Sequence, residues 1–192
     1  MTTQASSALY KPLLGARALR LVVLEPGQPE EREVVCRLLQ LSDIQSIHQY
    51  EALSYVWGEG TTNDLTLNGT NFPATVNLVS ALRHLRYSDS TRILWIDAIC
   101  INQRDLTERN EQVGRMADIY RNAQRTLVWL GEWNSRMNEH ATPHSVQRFL
   151  ERAIELSRAE EMIYDNIMVQ DDGFGCFMGI RWLLNSEWFK RV

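Results

Sequence analysis

Two polar clusters carry the residues best suited to chemistry. The first is Ser54-Tyr55-Val56-Trp57-Gly58-Glu59, and the second runs from Asp97 through Cys100, Asn102 and Gln103 to Glu108, Arg109, Glu111 and Gln112. Each lies at the end of a segment that reads as a strand. A carboxylate placed straight after a buried strand costs desolvation unless it is paired or sits at a mouth. Asp97 is therefore either a structural partner of Arg109 and a loop cap, or a ligand-binding or catalytic carboxylate. Glu108 reads first as a helix cap and second as a catalytic carboxylate. Arg109 offers a planar fork that holds carboxylate or phosphate, or a surface pair. Trp57, before Gly58, is a stacking platform at a pocket or a core residue. Ser54, Tyr55, Gly58, Asn102 and Gln103 complete the set of candidate ligand contacts.

Other chemistries lack their residues. Gly58-Glu59-Gly60 is too short and too acidic to cradle a phosphate, and the chain has no G-x-G-x-x-G, Walker A or G-x-S-x-G pattern. Cys100, in Ala98-Ile99-Cys100-Ile101, has no base near it in sequence and reads as a buried, inert thiol. Cys36, Cys100 and Cys176 do not combine with the four histidines into a zinc spacing, and Pro143 interrupts any helix joining His140 to His144, so no metal site is expected. Three widely spaced cysteines fit a reduced, cytoplasmic compartment.

The elements that must position these clusters follow from periodicity. Ala18–Leu24 and Glu33–Leu41 read as strands of one hairpin, and Glu51–Trp57 as the next strand. Asp64–Phe72 carries Asn68-Gly69, the preferred pair for a two-residue hairpin turn. Leu78, Val79, Leu82 and Leu85 lie on one face of a helix over 75–85. Arg92–Ile96 and Arg125–Leu130 are short buried strands. Between them, Asp105 and Glu108 frame a capping box, with Glu108 reaching back and Val113, Met116, Ala117 and Tyr120 as the buried face. Residues 132–144 read as a linker, Val146–Ile154 and Phe174–Leu184 as helices, and Trp188-Phe189 as an aromatic pair. Alternating strands and helices imply an α/β fold: a mainly parallel sheet flanked by helices, with antiparallel strands at the start.

The chain of 192 residues, 44% hydrophobic and 23% charged, is long enough for a packed core. Its net charge of −4 argues against a nucleic-acid partner. No run reaches the length of a membrane span, and the N-terminus lacks the pattern of a secretory signal.

At the same polar clusters the sequence resembles the fungal heterokaryon incompatibility (HET) domain. Tyr50–Gly58 (YEALSYVWG), Leu67–Leu85 (LNGTNFPATVNLVSALRHL) and Leu94–Gly131 (LWIDAICINQRDLTERNEQVGRMADIYRNAQRTLVWLG) carry the likeness. On this reading residues 1–49 are a lead-in and hairpin and 50–192 are the HET domain. Trp188-Phe189-Lys190-Arg191-Val192 matches the opening of the family's Trp-Phe-x-Arg-x-Trp-x-x-Gln-Glu segment, whose remainder falls beyond Val192, so the domain is expected to be truncated.

The resemblance implies a part in allorecognition and programmed cell death after fusion of unlike fungal cells. HET domains are distantly similar to Toll/interleukin-1-receptor (TIR) domains, with a flavodoxin-like sheet. Leu53-Ser54-Tyr55 resembles the first TIR box, and Trp95-Ile96-Asp97 sits like the strand of the second. Two modes of action follow, beside that of an inert remnant. In one, the domain signals by self-association or by binding a protein partner. In the other, it cleaves NAD as substrate through an oxocarbenium-like state that a carboxylate stabilises. There Asp97 or Glu108 would orient ribose hydroxyls, Trp57 or Tyr55 would stack on a ring, and Arg109 would meet the pyrophosphate. The resemblance places the glutamate used by NAD-cleaving TIR domains in the absent Gln-Glu segment.

Overall fold

The computed structural model describes residues 9–46 and 49–132. The chain divides into two compact units, Met1–Trp129 and Leu130–Val192, and nearly all described residues belong to the first. The linker at 132–144, the helices at 146–154 and 174–184, Trp188-Phe189, His140, His144 and Cys176 lie outside the described residues, apart from Glu132.

The first two strands form the expected hairpin. Strand β1 (Leu19–Leu24) pairs antiparallel with β2 (Val34–Leu41), Leu19 opposite Leu41 and Leu24 opposite Cys36. Their burial differs. β2 alternates at its start, with Val34 and Cys36 buried and Val35 and Arg37 exposed, as a strand covered on one face must. In β1, Leu19, Arg20, Leu21, Val22 and Leu24 are all buried, the mark of a central strand covered on both faces.

Strand β8 (Arg92–Trp95) flanks β1 on the other side, also antiparallel. Beyond it lie β3 (Glu51–Tyr55) and β9 (Arg125–Trp129), both joined by parallel pairing. On the far side of β2 come β5 (Leu65–Leu67), parallel to it, and β6 (Thr70–Asn71), antiparallel to β5. The seven-stranded order is β6-β5-β2-β1-β8-β3-β9. Five strands thus share one direction, and β1 and β6 oppose it. The fold is mixed α/β around a sheet that combines parallel and antiparallel pairs. A small second ladder joins β4 (Thr61–Thr62) to β7 (Ala74–Thr75).

The β5–β6 turn is Asn68-Gly69, with φ of 50° and 75°. Positive φ at both central positions is what selects this pair. Asn68 also accepts the Leu38 N–H at 2.9 Å, tying the turn to β2.

Helix α1 (Val76–Leu85) starts where the Thr75 hydroxyl accepts the Leu78 N–H at 3.3 Å. It buries Leu78, Val79 and Leu82 as its spacing predicts, with Leu85 packed at the margin of the core. A short helix α2 (Asp97–Cys100) follows β8 directly.

The next helical stretch departs from expectation. It is two helices, α3 (Leu106–Gly114) and α4 (Met116–Asn122), separated at Arg115 with φ −105° and ψ 1°. Gly114, a weak helix former, ends the first. The break rotates the buried stripe. Val113 is 52% exposed and Ala117 is also exposed, whereas Gln112 and Ile119 are buried; Met116 and Tyr120 do pack on the core. Gln112 earns its burial by donating to the Ala18 carbonyl at 3.3 Å.

The amino ends of β3, β8 and β9 are held by charge. Glu51, 5% exposed, accepts hydrogen bonds from both Arg92 and Arg125. Desolvation opposes its ionised form, but the two guanidiniums outweigh that and hold its carboxyl below the usual range.

Candidate functional site

Trp57 follows β3, and Asp97 opens α2 just beyond β8. These strands are adjacent and run the same way, so both residues leave the sheet at one edge, where α/β folds place ligands. The Trp57 indole N–H donates to Asp97 Oδ2 at 3.0 Å. Asp97 Oδ1 accepts the Ala98 N–H at 2.7 Å, and the Gln103 amide donates to the Asp97 carbonyl at 2.9 Å. Asp97 is half-buried.

Arg109 does not pair with Asp97. It is exposed on α3 and forms no ion pair among the described residues. The arginine that organises this region is Arg20, on β1. Its guanidinium closes on Glu108 through Nη1–Oε1 at 2.6 Å and Nη2–Oε2 at 3.0 Å. It also donates to the carbonyls of Lys11 at 2.6 Å and Cys100 at 3.2 Å, and lies 5.0 Å from the Tyr10 ring centre. Arg20 is 1% exposed.

The capping box forms only in part. Asp105 Oδ1 accepts the N–H groups of Thr107 and Glu108 at 3.0 and 3.1 Å, as an N-cap should. The Glu108 carboxylate does not return to Asp105. It takes the Asn102 N–H at 2.7 Å and the Arg20 fork instead, since a buried guanidinium is the stronger partner.

The remaining candidates spread out. Tyr55 is buried and Ser54 half-buried on successive positions of β3. Gly58 has φ 73°, a conformation that favours glycine, and its Cβ position lies 3.4 Å from Asn77 Cβ. Asn77, which sequence reasoning missed, bridges two strand ends. It donates to the Val56 carbonyl at 2.5 Å and accepts the Trp129 indole N–H at 3.0 Å.

A pocket of about 580 Å³ lies between the β5–β6 hairpin, the β4–β7 ladder and the loop after α2. Trp57, Asn102 and Gln103 line it, with Ala98, Arg104, Leu67, Phe72 and Leu78. Asp97, Glu108, Arg109, Ser54, Tyr55 and Gly58 do not line it, although Asp97 holds the Trp57 indole. Arg104 and Phe72 were not among the candidates read from the sequence; Phe72 directly follows β6, and Arg104 lies in the loop before α3.

Cys100 is buried, and desolvation pushes its thiol up to about 12; Cys36 is raised likewise to about 12. Neither is a nucleophile in that state. No group of three His, Cys, Asp or Glu among the described residues is placed to hold a metal ion. Among the described residues no helix is long and apolar enough to cross a membrane.

The heterokaryon incompatibility protein (HET) family model matches residues 50–192, most of the chain. This chain belongs to the HET family. It is 31% identical over 216 aligned positions to heterokaryon incompatibility protein 6, OR allele, of Neurospora crassa. The alignment takes in 91% of this chain and 30% of that protein, so the chain spans under a third of the relative's length. No solved structure matches the chain. The HET match contains Trp57, Asp97, Glu108 and the whole α2–α3 loop, whereas Arg20, which anchors that loop, precedes it.

Proposed function

We propose that this HET domain serves fungal allorecognition as a signalling module, self-associating or binding a protein partner in the cytoplasm and thereby promoting programmed cell death. The kinship with a heterokaryon incompatibility protein supports the biological setting. The engagement of Glu108 supports a non-catalytic mode. Both its oxygens are taken by the Arg20 fork, and Oε1 also accepts the Asn102 N–H. A carboxylate so committed is poorly placed to orient ribose hydroxyls or exchange a proton.

The test is concentration-dependent light scattering of the purified chain beside an assay of nicotinamide release from NAD. The expected outcome is a mass that rises with concentration and no release. A protein that stays monomeric and releases nicotinamide, with release lost in Asp97→Ala, would overturn the reading.

One observation favours a second reading, NAD glycohydrolysis on a TIR-like fold. Trp57 lines the pocket and is bonded to the half-buried Asp97, an aromatic face beside a carboxylate. In that reading Asp97 stabilises positive charge developing on the ribose.

A further inference from the structure

The pocket beside Trp57 has an uneven distribution of charge that defines what it would hold. Leu67, Phe72, Leu78 and Ala98 supply apolar wall, and Trp57 an aromatic face kept in place by its bond to Asp97. Among the described residues, Arg104 is the only charged one lining it, and none of them is acidic. At about 580 Å³ the volume suits a small organic ligand.

The donors at the polar side are fixed by backbone bonds. Asn102 Oδ1 accepts the Arg104 N–H at 3.3 Å, and the Asn102 N–H is held by Glu108 at 2.7 Å. Among the described residues, the Asn102 side-chain NH₂ and the Arg104 guanidinium have no hydrogen-bond partner. Two unengaged donors, one of them cationic, therefore stand on one loop beside an apolar chamber. That arrangement recognises a single anionic head on an apolar body. A dinucleotide, with two phosphates, would call for a second cation, and the described lining residues supply one, Arg104.

We infer that this pocket binds an amphipathic monoanion, a carboxylate on an aromatic or alkyl body, with the head on Arg104 and Asn102 and the body against Trp57 and Phe72. The site is independent of whether the domain self-associates, and it competes with the dinucleotide reading.

The test is titration calorimetry of the full chain with 2-naphthoate, with its neutral amide 2-naphthamide, and with NAD. The acid is expected to bind with one site per chain and about tenfold more tightly than the amide, the worth of one charge-assisted contact. Arg104→Gln, a change at an exposed side chain, should bring acid and amide to equal affinity. Ala98→Leu, which fills the chamber, should weaken both. Equal binding of acid and amide by the unaltered chain, an acid-to-amide ratio unmoved by Arg104→Gln, or no binding of either would overturn the inference. NAD binding more tightly than the acid would overturn it in favour of the dinucleotide.

Discussion

Arg20 and Glu108, 88 residues apart, meet in a two-pronged ion pair that joins the central strand to the first turn of α3. Arg20 is almost wholly enclosed and Glu108 is 11% exposed on its side chain. The pair also collects the Asn102 N–H and the Cys100 carbonyl, so it sets the shape of the loop between α2 and α3.

Removing one partner of such a pair strands a buried charge. Glu108→Ala is expected to cost about 4 kcal/mol of unfolding free energy. The double replacement Arg20→Met with Glu108→Leu should cost less than Glu108→Ala alone, because it removes both desolvated charges. Urea denaturation of the three proteins checks the order; a double variant less stable than the single would show that the pair is worth more than the apolar packing replacing it.

Glu51 gives the stability a dependence on acid. Its carboxyl is held below the usual range by Arg92 and Arg125, against desolvation. A lowered folded-state value means that the unfolded chain binds the proton more readily. The contribution is therefore complete above about pH 4.3, the ordinary glutamate value, and is lost as pH falls through the lower folded value. Glu51→Gln should lower the urea midpoint at neutral pH, at a cost of about 3 kcal/mol, and should flatten its decline in acid.

The Trp57–Asp97 bond lies at a half-exposed ring, and its energy is modest. Trp57→Phe and Asp97→Ala are each expected to cost about 1 kcal/mol. Because they break the same contact, the double variant should fall short of their sum. Strict additivity would mean that the two side chains are not coupled in solution.

Cys36 and Cys100, raised to about 12 by burial, should resist alkylation in the folded protein at about pH 8. Their modification by iodoacetamide, followed by peptide mass spectrometry, should proceed only as the core opens. Glu108→Ala, which loosens the loop around Cys100, should speed labelling there. Rapid labelling of either cysteine in the unaltered protein would contradict its enclosure.

Much of this architecture is local and therefore readable in the chain. The Asn68-Gly69 turn is dictated by the φ its positions require. The Thr75 to Leu85 segment announces its helix by spacing, and Asp105 its cap by residue type. The placement of β1 between β2 and β8 is not local, since no residue of β1 states which second neighbour it will take. For the same reason Arg109, close in sequence, looked the natural partner of Asp97, while Arg20, the arginine that organises the loop, reaches it only through the sheet. The break at Arg115 escaped because Val113, Met116, Ala117 and Tyr120 satisfy a helical period that the backbone interrupts. The pocket was legible through Trp57, Asn102 and Gln103; its hairpin wall was not, because contacts between distant loops leave no periodic trace.

The strand that lies at the heart of the sheet belongs to the first 49 residues, ahead of the segment that the family model matches. A chimera joining residues 1–49 of a relative to this chain from residue 50 would set a foreign strand against β8 and a foreign side chain opposite Glu108. Such a chimera would keep the Arg20–Glu108 fork, and with it the tie between the central strand and the α2–α3 loop, only where the donated segment brings an arginine to that place.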